Sequence, residues 1–461
     1  MKKITGILLV ICMFLSVVSF ASCSKASSEK NGAMDFGGSG GGYGGGYGSS
    51  GMNGSSGAEK GDGAMGDSMD GPDMAPEMPD DSESAEGGES ETVPPEQVVL
   101  PSGMMTAGAW NDNDNYQTWL ELFIQSEEGS GKFFNYTNPD YSWGYNSLKR
   151  VKVTVSNDGA AVAGATVTAS DLNGNPLFTA VTDAAGNAYL FVNNADGNIT
   201  VKSGTATATA AFTADNRELS VSLDSNAEKL NVIEIMLVVD VTGSMGDEID
   251  FLKAELKDVI NRIAQNDSET VIKLAMLFYR DTDDSVPFEY YDFVNVTESN
   301  GLATQQAALN KQHASGGGDY PEAVDQALDI AVNKQWSTGA TTKIIFQVLD
   351  APAHEGSQYE NKLVNATKTA AEKGIRICPI ICSGAAESTE YTMREAAIYT
   401  GGTFVFVTDD SGIGGSHHDP ELPDVTVELL NSLMVRLVKG YHTGTFDEAI
   451  YWKQDPNLNN Q

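Results

Sequence analysis

Residues 231–245 read NVIEIMLVVDVTGSM. The first nine make an apolar run of the kind needed by a strand buried on both faces. The run ends in an acid, Asp240, and hydroxyls follow on alternate residues, Thr242 and Ser244. Downstream, Ile249, Leu252, Leu256, Val259, Ile260 and Ile263 recur at helical spacing. Further strands are predicted at 271–279, 343–349, 375–381 and 403–408, with helices starting near Pro321, Tyr359, Ser388 and Asp424. Strands alternating with helices predict an α/β fold with a doubly wound, mostly parallel sheet. In such sheets ligands sit beyond the carboxyl ends of the strands. Asp240 stands at one such end, and Asp350, in IIFQVLDAPAH, at another. Asp319 lies in ASGGGDYPEA, a glycine turn leading into a helix.

Three loops thus send acids or hydroxyls toward one edge. Hard oxygens suit a hard cation, and Mg²⁺ takes about six of them, several from water. The spacing Asp240-x-Thr242-x-Ser244 lets one tight turn present several together, and glycines at 316–318 let backbone approach an ion. The same residues also suit helix capping, which is compatible with metal binding. His354 reads either as the rim of this site or as a helix-start residue. His417 and His418, in GGSHHDPE, have no identifiable further ligands for zinc.

Asp-x-Thr-Gly-Ser-Met after an apolar strand resembles the metal-ion-dependent adhesion site of von Willebrand factor A domains. The likeness extends over 230–440, through FYRDTDD, GGGDYPEAV and LDAPAH in order, and is nearest the hemicentin-like and bacterial branch. The resemblance implies a Rossmann-like sheet and a divalent cation, Mg²⁺ first, with Mn²⁺ or Ca²⁺ as alternatives. Its ligands would be Asp240, Thr242, Ser244, Asp319 and Asp350, the last often through water. A protein partner would complete the coordination with an acidic residue. The second loop departs from the family pattern: a Thr usually follows paired glycines, whereas this chain has Gly318-Asp319. With Asp319 in that role, three carboxylates leave a dication net negative. That weakens recruitment of an acidic partner, since like charges at ~4 Å cost about 1 kcal/mol even in water.

The remainder of the chain is organised around this module. A basic MKK, an apolar segment from Ile4 to Phe20 and FASC predict a secretory leader over 1–22. FASC resembles the bacterial lipoprotein signal, which implies lipidation of Cys23 and an extracytoplasmic chain anchored to a bacterial membrane. Residues 23–92 are Gly-, Ser- and acid-rich and predict a disordered spacer. Residues 93–147 regain aromatics and predict a connecting segment, with a short helix between Tyr116 and Phe123 that docks on the next domain. Asp112-x-Asp114 there reads as a polar turn, a helix cap or a calcium loop without the EF-hand Gly and Glu. Period-2 runs separated by Asn, Asp and Gly predict a small antiparallel β-sandwich over 148–226. AVAGATVTASD and TDAAGNAYLFV there resemble bacterial immunoglobulin-like or prealbumin-like repeats, implying a stiff stalk. Residues 441–461 read as a short polar tail. Cys378 and Cys382, four apart on a strand, lie about 13 Å apart at ~3.3 Å per residue, too far for a disulfide.

The chain has 64 acids against 28 bases, a net charge of -36 that repels phosphate backbones and excludes nucleic acid as a partner. Ser244 sits in no G-x-S-x-G elbow and no histidine is placed to activate it, so the expectation is a non-enzyme. The sequence therefore predicts a surface-tethered module that binds a protein through its cation. The alternatives are a permanent scaffold subunit of an envelope complex and, third, a metal-dependent hydrolase.

Overall fold

The computed structural model describes residues 104–461 apart from 127–128, 226–228, 266–268, 299, 340, 412–421, 424 and 460–461. The leader, Cys23, the acidic spacer and the His417-His418 pair lie outside the described residues. The described course starts with strand β1 (Thr106–Trp110), helix α1 (Tyr116–Glu121) and two short strands, β2 (Gln125–Ser126) and β3 (Gly129–Ser130). Eight strands follow: β4 (Arg150–Asn157), β5 (Ala160–Ala161), β6 (Thr166–Ser170), β7 (Pro176–Val181), β8 (Asn187–Phe191), β9 (Gly197–Ser203), β10 (Ala206–Phe212) and β11 (Glu218–Ser222). The periodicity then changes to β12 (Val232–Asp240), α2 (Gly246–Ala264), β13 (Val271–Tyr279), β14 (Phe288–Asn295), α3 (Gly301–Leu309) and α4 (Val324–Val332). The last elements are β15 (Thr342–Leu349), α5 (Ser357–Lys373), β16 (Ile375–Ile381), α6 (Glu387–Thr400), β17 (Phe404–Val407), β18 (Glu428–Leu429) and α7 (Leu430–Thr443).

The large sheet runs β14-β13-β12-β15-β16-β17-β1-β18. Its five central strands, β13 to β17 in that order, are parallel. β14 is antiparallel on one flank and β1 on the other, so the sheet is mixed and α/β. β12 alternates between two cores. Ile233, Ile235, Leu237 and Val239 join the cluster built with α2 and α7, while Met236 and Val238 face the cluster that contains α4 and α5. Burial on both faces explains the unbroken apolar run. From β12 the chain steps one way to β13 and the other way to β15, which opens a crevice at their carboxyl ends.

Two differences from the sequence expectations concern the ends of this module. β1 pairs with β17, so the segment over 93–147 contributes a strand to the large sheet as well as the predicted helix. The tail is not merely polar: Trp452 is buried and joins Met104 and Leu429 in a small apolar cluster. Both pairings are between residues hundreds of positions apart, which local patterning does not signal.

Strands β4–β11 form two four-stranded sheets, β10-β9-β6-β7 and one built on β11, β4, β5 and β8. β11 pairs with β4 in parallel, against the antiparallel expectation. Their inward residues, including Val151, Val153, Val167 and Ile199, join the same core as α5 and α6. Phe191 stacks on Tyr399 of α6 at 4.6 Å between ring centroids, with Phe178 edge-on at 5.5 Å. Gly374 and Gly401, both at φ +67, end α5 and α6 in left-handed turns. A Cβ at Gly374 would stand 3.0 Å from that of Val181 in β7. The β region is therefore inserted between β1 and β12 and packed along its flank, not strung ahead of the α/β module as a stalk.

Asp112 also has a definite role. Arg394 in α6 is fully buried and donates from Nε and Nη2 to the two carboxylate oxygens of Asp112, at 2.9 and 2.6 Å. Its Nη1 donates to Glu390 at 3.0 Å, and Lys132 pairs with the other Glu390 oxygen at 2.8 Å. The Arg394 guanidinium lies over the rings of Trp119 and Phe133. Asp114 is exposed. Asp112 is thus a buried ion-pair partner that fastens the first segment to α6. Asp112→Ala is expected to destabilise the protein by about 3–5 kcal/mol, because a buried guanidinium loses its bidentate partner. Chemical denaturation would measure this, and a loss below about 1 kcal/mol would remove the assignment.

Candidate metal centre

Asp240 ends β12 with no exposed surface. Its Oδ1 accepts from the Thr242 backbone N–H at 2.9 Å and from the Thr242 hydroxyl at 2.7 Å. Its Oδ2 is buried and has no partner. Burial pushes the Asp240 carboxyl up to about 7; the Thr242 hydrogen bonds oppose this and the Asp350 charge adds to it. Ser244 is exposed, and its hydroxyl lies close enough to Asp350 to favour that carboxylate. Asp350 itself is buried directly after β15, and desolvation raises its carboxyl despite that hydroxyl.

The glycine turn is stitched to this loop by backbone. Ser315 N–H donates to Val241 O at 3.0 Å and Gly243 N–H to Gly316 O at 3.2 Å. Gly316 and Gly317 have φ +80 and +75, and side chains are excluded there by space as well as by conformation. A Cβ at Gly316 would lie 2.5 Å from the Asp284 carboxylate. One at Gly317 would lie 2.6 Å from Glu322 Oε1 and 3.1 Å from the Thr242 Cβ. These close approaches bring another acid of the second loop, Glu322, toward the first loop. Glu322, which is 4% exposed, sits beside Thr242 and is tied to the third loop through its N–H, donated to Pro352 O at 2.9 Å.

Glu322 Oε2 is buried without a partner. Burial pushes its carboxyl up to about 9, with the charges of Asp240, Asp281, Asp284 and Asp350 adding. Asp319 is exposed in the glycine turn. Of the five residues named from sequence, Asp240, Thr242 and Asp350 are buried at the carboxyl ends of β12 and β15, while Ser244 and Asp319 are exposed. Glu322 was missed because adjacency to the glycines favoured Asp319; its turn toward Thr242 depends on the parallel bridge between Glu322 and Ala353. Glu248, in the first turn of α2, is a further buried acid, raised to about 7 by burial and by Asp350 and Asp247. His354 pairs with Asp281 at 2.7 Å rather than facing Ser244.

Four carboxyls, those of Asp240, Glu248, Glu322 and Asp350, are thus buried near one another. They cannot all ionise in low dielectric without a counter-cation. The orphaned Asp240 Oδ2 and Glu322 Oε2, with the Ser244 hydroxyl and Asp350, make an oxygen-only donor set that fits a hard divalent ion. Among the described residues no group of three or more His, Cys, Asp or Glu is arranged to hold a metal ion. Hydroxyls and water must therefore complete any shell.

Residues 234–409 match the von Willebrand factor A domain family. Among curated proteins the chain is similar to one from Acanthamoeba polyphaga mimivirus named as ariadne-like with a RING finger, 28% identical over 228 residues, covering 44% of this chain and 20% of that protein. It is also similar to the alpha-protein kinase vwkA of Dictyostelium discoideum, 24% identical over 138 residues, covering 28% of this chain and 20% of the other. The chain thus spans about a fifth of the length of these relatives. Solved structures with a likeness include BatB from Bacteroides thetaiotaomicron, at 17% identity and TM-score 0.29, covering 38% of this chain and 90% of that one. The pilus adhesin SpaC from Lactobacillus rhamnosus GG follows at 11% identity and TM-score 0.31, covering 53% and 32%.

The raised carboxyls set a pH dependence. In the folded, cation-free protein Asp240 and Glu322 keep protons up to about 7 and about 9, against ordinary values of 3.8 and 4.5. The folded state then binds more protons than the unfolded chain, so its stability falls as pH rises through roughly 4 to 9. A divalent cation needs these groups deprotonated, so its affinity rises over the same range and binding releases protons. Thermal melts with chelator should fall with pH, and excess Mg²⁺ should restore them most at the alkaline end. Parallel curves with and without Mg²⁺ would count against the site.

Proposed function

We propose that this chain is a lipid-anchored, extracytoplasmic binding protein whose α/β module grips a protein partner through a divalent cation, most favourably Mg²⁺. The observation that carries the reading is the pair of buried, partnerless oxygens, Asp240 Oδ2 and Glu322 Oε2, at the switch point of the sheet. Asp240, Ser244, Asp350 and Glu322 would hold the ion, with Thr242 fixing Asp240, and Asp319 left outside. The cation would neutralise the crowded acids and offer an open coordination position to an acidic group. Three carboxylates near one dication, not all of them direct ligands, leave net negative charge, so an acidic partner residue contributes less here than at a two-carboxylate site.

The anchor rests on MKK, the apolar segment and FASC, with Cys23 as the lipidated residue. Binding is favoured over hydrolysis because His354, the histidine at this rim, is paired with Asp281 and does not serve Ser244 as a base. The family match fits an interaction module, and 148–226 would serve as an immunoglobulin-like or prealbumin-like brace.

Calorimetry with Mg²⁺, Mn²⁺ and Ca²⁺ tests the site directly. Asp240→Asn and Glu322→Gln should each weaken uptake by about tenfold or more, while Asp319→Asn should leave it unchanged. The opposite ranking would return the second-loop role to Asp319. For the partner, capture from detergent-solubilised membranes should fail once chelator is added. Retention with chelator would instead indicate a fixed subunit of an envelope complex.

A further inference from the structure

At the opposite end of the sheet the charge reverses. Lys229 precedes β12, Lys343 opens β15, Lys373 ends α5 and Arg376 opens β16; all four line one cavity of about 30 Å³. Its other wall comes from the inserted β region, at Thr182 and Asp183. Lys343 and Arg376 are 7% and 8% exposed, and among the described residues none of the four cations forms an ion pair with a carboxylate. Asp183 is the one acid in the lining, and its Oδ1 already accepts from the N–H groups of Ala185 and Asn187. The buried Thr341 hydroxyl on the same wall has no partner.

Capping accounts for part of this cluster. Lys343 donates to Lys373 O at 3.0 Å, Lys373 to Val332 O at 2.8 Å, and Lys229 to His442 O, at the carboxyl ends of α5, α4 and α7. Arg376 donates to Gly374 O at 3.3 Å, and the Glu234 carboxylate acts on Lys343 but is paired with Lys273; with three helix ends at about half a negative charge each and Asp183, four cations remain short of balance. An unpaired buried charge is costly, and a small anion removes that cost. The volume holds about two waters, which also admits one tetrahedral oxyanion.

We propose that this cavity binds a small inorganic oxyanion, phosphate or sulfate, between Lys343, Arg376 and the Thr341 hydroxyl, and that the ion clamps the β region to the α/β module. The test is equilibrium dialysis of the full chain with radiolabelled phosphate, alongside thermal melts in phosphate or chloride at equal ionic strength. Uptake of one phosphate per chain and a higher Tm in phosphate are expected. Lys343→Met and Arg376→Gln should lower the affinity by about tenfold or more, and Lys311→Gln, an exposed control, should not. Lys343→Met should also melt higher than the unaltered chain in phosphate-free buffer, since it removes a buried charge, so misfolding is distinguishable from lost binding. Equal behaviour in phosphate and chloride overturns the proposal, as does unchanged uptake by both variants. Binding of phosphatidylglycerol vesicles without uptake of free phosphate overturns it too.

Discussion

Buried like charge is the constraint around which this molecule is arranged. Asp240 and Glu248 flank one loop, Glu322 and Asp350 come from two others, and backbone, not attraction, draws them together. Desolvation raises each of them, and for Asp240, Glu248 and Glu322 the neighbouring acids add to it. A fold tolerates such crowding only when the groups stay protonated or when a cation sits among them. The rigid parts of the crevice serve that purpose. β12 and β15 are central strands buried on both faces, and Gly316 and Gly317 let the second loop come closer than any side chain would allow.

The parallel strands of the large sheet were legible because each is an apolar run long enough to be buried on both faces. β13 and β16 fall on the residues where patterning placed them. β14 was not anticipated: its residues are half-buried and aromatic, without strict alternation, as befits an edge strand. β1 escaped for a different reason. TAGAW carries little apolar character, and only its pairing with β17 makes it a strand. At the site, residues within one turn of Asp240 could be named from spacing alone. Glu322 could not, because its position follows from contact between loops that are distant in sequence.

The same distinction explains the β region. Its strands alternate visibly, so their existence was readable, but their docking was not. What holds them is aromatic stacking of Phe191 on Tyr399 and the glycine turns after α5 and α6, where Val181 and Tyr189 take the space that side chains would fill. Both partners in each contact look ordinary in sequence. The consequence is mechanical: a load applied at the start of the described chain enters through β1, inside the large sheet, and not through a stalk in series with it.

Parallel α/β architecture also accounts for the separation of charge between the two ends of the sheet. Helix amino termini gather at the carboxyl ends of the strands and carry partial positive charge, which favours acids such as Glu248 in the first turn of α2. Helix carboxyl termini gather at the other end, where Lys343, Lys373 and Lys229 donate to their last carbonyls. The backbone dipoles thus select acids on one rim and bases on the other. Each rim holds more formal charge than half-charges at helix ends can offset. The excess is negative where loops are open to a partner, and positive where the β region meets the α/β module around a small cavity. A cation on the first rim and an anion on the second are the complementary ways of removing it.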